Sequence, residues 1–213
     1  MKLRSLLLGV AAASLVAGTA AADIIVDVDP PFPPNPDENV LLTTDVAGNP
    51  IFGVTNQTDS VVVFTSDEDL VAPPEGQARI VAVDDSLTFL RGELQNPLLG
   101  FSEIEFNINA LADGSALVQF FDFGGGTFGG EFDLGGAGSN FFTAVAINGQ
   151  LISHFTITAL GDTVIEDVAQ IRLGGVTAIP EPGTWLMMIL GFGMVGAGLR
   201  TMRRRNGTAL SVA

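Results

Sequence analysis

His154 is the only histidine of the chain, and so the only side chain whose ordinary pKa lies near neutrality. A Ser-His-Asp hydrolase would have to use it, and no G-x-S-x-G elbow accompanies it. It falls in the alternating stretch ISHFTITAL, on one face with Thr156 and Thr158, which reads as a surface histidine rather than a general base. Cysteine is absent, which excludes disulfides, thiol nucleophiles and Cys-based zinc sites. Carboxylates are plentiful: Asp67-Glu68-Asp69, Asp84-Asp85, Glu103 with Glu105, Glu131 with Asp133, and Glu166-Asp167. Two carboxyl groups at the right separation hydrolyse glycosides. In a chain with 24 Asp and Glu, however, neighbouring pairs arise by chance. No catalytic residue is assigned.

Oxygen-rich loops also suit calcium, which takes several carboxylate and carbonyl ligands. The stretch LGGAGSNFF (134 to 142) resembles one repeat-in-toxin nonapeptide, with Asn140 at the usual Asp position. A β-roll needs tandem copies and this stretch stands alone, so it reads as a glycine-rich loop between strands. A structural calcium is the one cofactor left open, and no metal ligand is assigned.

Charge narrows the partners. Six of the nine basic residues sit at the two ends: Lys2, Arg4, Arg200, Arg203, Arg204 and Arg205. Residues 23–180 hold three arginines against 23 carboxylates, a formal charge of −20. Such a body repels nucleic acid, whose binding needs Lys and Arg to displace counterions. Its plainest consequence is solubility.

The elements that must carry these side chains are strands. Residues 23–39 contain five prolines within DVDPPFPPNPDEN and read as a polyproline-like spacer. From 40 to 178 the pattern is strand, turn, strand. FSEIEFNIN sends Ile104, Phe106 and Ile108 one way and Glu103, Glu105, Asn107 and Asn109 the other. NFFTAVAI-NG-QLISHFTITAL reads as a hairpin through a type I′ turn at Asn148-Gly149. Further strands are expected at 41–44, 51–55, 61–65, 77–83, 87–91 and 168–173. Nine or ten short strands predict an all-β domain, a jelly-roll-like β-sandwich. Phe106, Phe120, Phe132, Phe141 and Phe155 are its expected core aromatics.

Both ends read as addresses. Residues 1–22 have a basic start, an apolar middle and an A-x-A close at Ala20 and Ala22, so cleavage before Asp23 is expected of a secretory signal peptide. No twin-arginine pair precedes it, which favours general secretion. Residues 185–199 carry no charge and are expected to form a single transmembrane helix. Trp185 suits its outer interface, and Arg200, Arg203, Arg204 and Arg205 form a cytoplasmic stop. Residues 206–213 are then a cytoplasmic tail. GFGMVG inside this run matches G-x-G-x-x-G, but the chain ends before the acidic partner that a dinucleotide site needs. Gly193 and Ala197 instead offer a small face for helix packing.

Pro180-Glu181-Pro182, then Trp185-Leu186-Met187-Met188, a glycine-rich apolar run and an arginine cluster together resemble the PEP-CTERM protein-sorting signal over residues 179–205. Leu186 stands where Ala is usual, and NGTALSVA continues past the arginines. The body is similar, more loosely, to the β-sandwiches of other PEP-CTERM proteins at TNQT and GQARI. The resemblance implies Pro180, Glu181, Pro182 and Trp185 as the sorting motif and exosortase as the partner. It also implies an inner-membrane-anchored precursor in a Gram-negative bacterium, and then a cell-surface or extracellular protein. The function expected from it is that of a non-catalytic envelope or matrix protein linked to exopolysaccharide or biofilm. The alternative is a carbohydrate-binding module or adhesin, against which stands the absence of Trp and Tyr from the body.

Overall fold

The computed structural model describes residues 23–29, 35–42, 46–73, 79–136, 139–179, 188–196 and 200. The body is all-β. Its strands are β1 (Ile24–Val28), β2 (Glu38–Leu42), β3 (Ile51–Thr55), β4 (Val61–Thr65), β5 (Leu70–Val71), β6 (Arg79–Ala82), β7 (Phe89–Leu94) and β8 (Leu99–Gly100). They continue with β9 (Glu103–Ala110), β10 (Gly114–Asp122), β11 (Thr127–Leu134), β12 (Ser139–Ala146), β13 (Ile152–Leu160), β14 (Ile165–Gly174) and β15 (Thr177–Ala178).

One antiparallel path joins most of them in the order β1-β12-β9-β14-β2-β3-β4-β7-β13-β10-β11. The junction is β2. Its Glu38 and Asn39 pair with Leu173 and Arg172 of β14, while Val40 to Leu42 pair with Thr55 to Gly53 of β3. The strand thus passes from one half of the sheet to the other. The two ends of the path, β1 and β11, lie against each other, so the sheet is nearly closed. The expected all-β body is observed; among the described residues it comprises this nearly closed sheet and a separate two-stranded sheet of β8 and β15. Later strands nest inside earlier ones, β8 with β15, β9 with β14 and β10 with β13, the winding of a rolled Greek key.

The halves are held together by apolar burial. Phe106 of β9 stacks on Phe155 of β13 at 5.3 Å between ring centres and on Phe142 of β12 at 5.6 Å. Phe120 of β10 lies 6.2 Å from Phe106. All four rings are buried. Phe132 meets Phe142 edge-on at 5.4 Å and is partly buried. The core residue of the Phe141-Phe142 doublet is Phe142, not Phe141: two adjacent phenylalanines satisfy either phase of the alternation, and pairing with β9 selects the second.

Two further expectations are corrected. Ile24–Val28, placed in the spacer, forms β1 on β12, with Ile24 in the core. Asn148 and Gly149 do adopt the expected positive φ, 57° and 77°, but the strands they join are not a hairpin. β12 pairs with β1 and β9, and β13 with β7 and β10, so the turn carries the chain across the core. The expected membrane helix at 185–199 falls only partly within the described residues. Among the described residues it is the helical stretch 188–196, about 13 Å long at ~1.5 Å per residue. No helix among them is long and apolar enough to cross a membrane. Trp185 and residues 197–199 lie outside the described residues, and the described turns alone fall short of a ~30 Å hydrocarbon layer.

Candidate functional site

Two regions carry functional side chains. The first is the junction between the body and the C-terminal segment. β14 ends at Gly174, and Gly175 turns the chain with φ of 60°. A Cβ there would lie 2.1 Å from Ser102 Oγ, so both space and backbone conformation call for glycine. β15 then pairs Thr177 with Gly100 and Ala178 with Leu99. The Ile179 amide donates to Leu98 O at 2.9 Å. The body is therefore hydrogen-bonded up to the residue before Pro180. Pro180, Glu181, Pro182, Trp185, Arg203, Arg204 and Arg205 lie outside the described residues, as do Ala20 and Ala22. Asp23 is exposed, and its carbonyl accepts the Ile147 amide at 3.0 Å. Arg200 is exposed. Met188, Ile189, Leu190, Phe192, Met194 and Val195 present their apolar side chains outward from the helical stretch.

The second region is a cavity of about 360 Å³ on the outer face of the half formed by β3, β4, β7, β13, β10 and β11. Arg91, Glu93, Gln95, Phe123, Ser153 and His154 line it. The register explains their meeting. Val63, Glu93, His154 and Phe121 are consecutive cross-strand partners, one outward row over β4, β7, β13 and β10. Between Phe121 and Asp122 the register slips, since Phe121 faces His154 while Asp122 faces Ile152. Ser153 is the extra residue of this bulge, and a bulge re-aims side chains. Here it brings Ser153 Oγ to 2.9 Å from His154 Nδ1.

The Ser153 hydroxyl couples the histidine to the bulge. Ser153 Oγ also lies 2.9 Å from Phe121 O and has a single proton to donate. With the hydroxyl proton on Phe121 O, Nδ1–H donates to Oγ and Nε2 keeps its lone pair; with it on Nδ1, the roles of the two ring nitrogens are exchanged. The imidazole stacks on the Phe121 ring at 4.2 Å and 5°. Burial, and then the Arg91 charge, hold its pKa below the ordinary 6.5, against an opposing pull from Glu93. It is neutral at pH 7. Arg91 donates to Glu93 at 2.6 Å. In the Nδ1–H tautomer Nδ1 is not a base toward the serine. The surface placement expected of His154 is observed; the adjacent hydroxyl was not legible, because strict alternation puts Ser153 on the opposite face.

Elsewhere the carboxylates are mostly dispersed. Glu68 is pushed up by burial and by its neighbour Asp84, the loop pairing that spacing did not reveal. Glu105 is buried on the outer side of β9, 4.0 Å from Arg172. It is raised by burial, with Arg172 pulling the other way. Asp167 pairs with Arg79 at 3.7 Å. Asn140, at the calcium-like position, serves the loop itself. Its Oδ1 accepts the Gly135 amide at 2.8 Å, and its Nδ2 donates to Ile108 O at 2.9 Å. Among the described residues no group of three or more His, Asp or Glu is placed to hold a metal ion.

No curated protein and no solved structure matches the chain. A family model does match its C-terminal part, starting at Ala178, the last paired residue of the β8·β15 ladder. That match implies an exported, membrane-anchored precursor with exosortase as its processing partner. Residues 178–205 are a PEP-CTERM protein-sorting motif, carried here behind a β-rich body.

Proposed function

We propose that this chain is a non-catalytic protein of the Gram-negative cell envelope or extracellular matrix, exported by general secretion and processed by exosortase at its C-terminal motif. The observation that carries the reading is the sorting motif at residues 178–205. Its chemistry fits peptide cleavage. Pro180 and Pro182 disfavour helix at and before their positions, which suits an extended substrate strand. Glu181 adds a charge for recognition. The nucleophile belongs to the partner. The apolar residues after Trp185 anchor the precursor, and the arginines hold its cytoplasmic end. The body, with its charge of −20, stays dispersed outside the membrane. Its nested strand pairs support a jelly-roll-derived sandwich, and a matrix role beside exopolysaccharide follows from the sorting route.

The test is the C-terminal residue of the mature protein, read by intact-mass spectrometry in hosts with and without exosortase. The expected outcome is loss of 185–199 only where the enzyme is present. Replacing Pro180, Glu181 and Pro182 by alanine should leave the full-length form at the inner membrane. A mature chain still ending at Ala213 in an exosortase-positive host would overturn the reading.

A further inference from the structure

In the cavity around His154 an unused set of polar groups meets an exposed aromatic ring. Arg91 and Glu93 lie side by side and satisfy each other through one hydrogen bond, Arg91 Nη2 to Glu93 Oε2. Glu93 Oε1 and the other guanidinium N–H groups are turned to no protein partner among the described residues. Gln95 and, in the Nδ1–H tautomer, Nε2 of His154 add a donor–acceptor amide and a lone pair. Phe123, 43 % exposed, forms an apolar wall with Leu99 and Pro97.

Each ligand class can be weighed against this lining. An anion would approach a body of charge −20 and find the one arginine already neutralised. A metal ion would find a single carboxylate, itself paired, and no three-ligand group among the described residues. A purely apolar ligand would strip water from Glu93 and Arg91 without replacing its hydrogen bonds. A neutral ligand with adjacent hydroxyls meets none of these costs. One hydroxyl donates to Glu93 Oε1 and its neighbour accepts from Arg91, while a third donates to His154 Nε2. The volume of about 360 Å³ lies within the range of small-molecule pockets, roughly 300–1,000 Å³.

We propose that this cavity binds a neutral saccharide, with a vicinal diol on the Arg91–Glu93 pair, a hydroxyl on His154 and the C–H face of the ring on Phe123. The proposal is independent of the sorting reading: a body that binds sugar does so whether or not its C-terminus is processed. Phenylalanine takes the platform role that the missing Trp and Tyr leave vacant. The bulge at Ser153 has a purpose in this scheme, since it sets a hydroxyl against Nδ1, and the Nδ1–H tautomer leaves Nε2 an acceptor for the sugar.

His154, as the sole histidine, is its own reporter. Its imidazole Hε1 signal is followed by NMR in the full chain, held in a sugar-free zwitterionic detergent. Neutral gluco-, galacto- and manno-oligosaccharides are titrated to about 10 mM, a concentration that detects binding as weak as millimolar. Polygalacturonate serves as the anionic arm. At least one neutral series should shift the signal saturably and lower the titration midpoint of His154, because a hydroxyl donating to Nε2 favours the neutral ring. Glu93→Gln and Phe123→Ala should each weaken that binding by about tenfold or more, and the surface position of both keeps the fold intact. Absence of a shift with every neutral series overturns the proposal. So does equal or tighter binding of the anionic polymer, or undiminished affinity in both variants.

Discussion

Gly92 sits in the middle of β7 between two aromatic residues, with Phe64 opposite on β4 and Phe155 opposite on β13. Gly92→Ala places a methyl group 2.3 Å from Phe155 Cε1, 2.5 Å from its Cζ and 3.1 Å from Phe64 Cε1. Ordinary contact begins at about 3.4 Å, so the Phe155 ring must retreat by about 1 Å. It has nowhere to go: it is 1 % exposed and stacked on Phe106 at 5.3 Å. Overpacking of this kind costs about 1–3 kcal/mol. Removing glycine from the unfolded chain returns about 0.4–1 kcal/mol. Mid-range values leave a net loss of about 1.3 kcal/mol, and at roughly 2–4 °C per kcal/mol for a domain of this size the melting temperature should fall by about 3–5 °C. The control is Gly130→Ala in β11, where the new Cβ meets nothing within 4 Å; it should be neutral or slightly stabilising. Thermal and urea unfolding followed by circular dichroism measure both. Adding Phe155→Leu to Gly92→Ala should cost less than the sum of the two single changes, because the smaller side chain vacates the contested space. A Gly92→Ala protein that melts at or above the parent temperature would refute the packing argument.

Two buried glutamates should show opposite pH behaviour. Burial would push Glu38 up, but hydrogen bonds from the Thr58 amide and hydroxyl, each 2.8 Å, and from Thr55 hold it below its ordinary 4.5. Its stabilisation is present above pH 4.5 and lost as pH falls through the folded value, so Glu38→Gln should destabilise at pH 7 and matter little in acid. Glu105 is raised, so its charged form weakens the fold as pH rises through its folded value; Glu105→Gln should gain stability at pH 7 and lose that advantage below about pH 4. Asn140→Ala should cost about 2–4 kcal/mol in urea unfolding, because it leaves Ile108 O and the Gly135 amide without their partner. Asn140→Asp, which restores the calcium-motif residue, should also destabilise, since a carboxylate cannot donate to Ile108 O.

What the sequence made legible was local. Alternation identified most of the strands and placed Ile104, Phe106 and Ile108 inward. The dipeptide Asn148-Gly149 announced its backbone conformation correctly. What alternation cannot say is whether two consecutive strands lie side by side or face each other, since both arrangements bury the same side chains. β12 and β13 are the case in point. β11 escaped notice because Gly129 and Gly130 interrupt its pattern. The cavity at His154 depended on a one-residue slip, and nothing in ISHFTITAL marks Ser153 as the extra residue. The sorting motif was readable because its function resides in linear order rather than in folding.

The ladder between β8 and β15 leaves the sorting motif almost without rope. An enzyme drawing on Pro180 pulls directly on a strand that is zipped to the body. The give in the line is the run from Gly175 to Ile179, some 16 Å at ~3.3 Å per residue once unzipped. It is released by breaking a few hydrogen bonds, each worth about 1 kcal/mol net. Upstream of Gly175 the β14 ladder to β9 begins to resist, and further pulling would unravel the sheet. A processing enzyme must therefore either work within reach of a bulky, negatively charged neighbour or unzip this short seam first. The length of the seam, two paired residues rather than six, keeps the second course open.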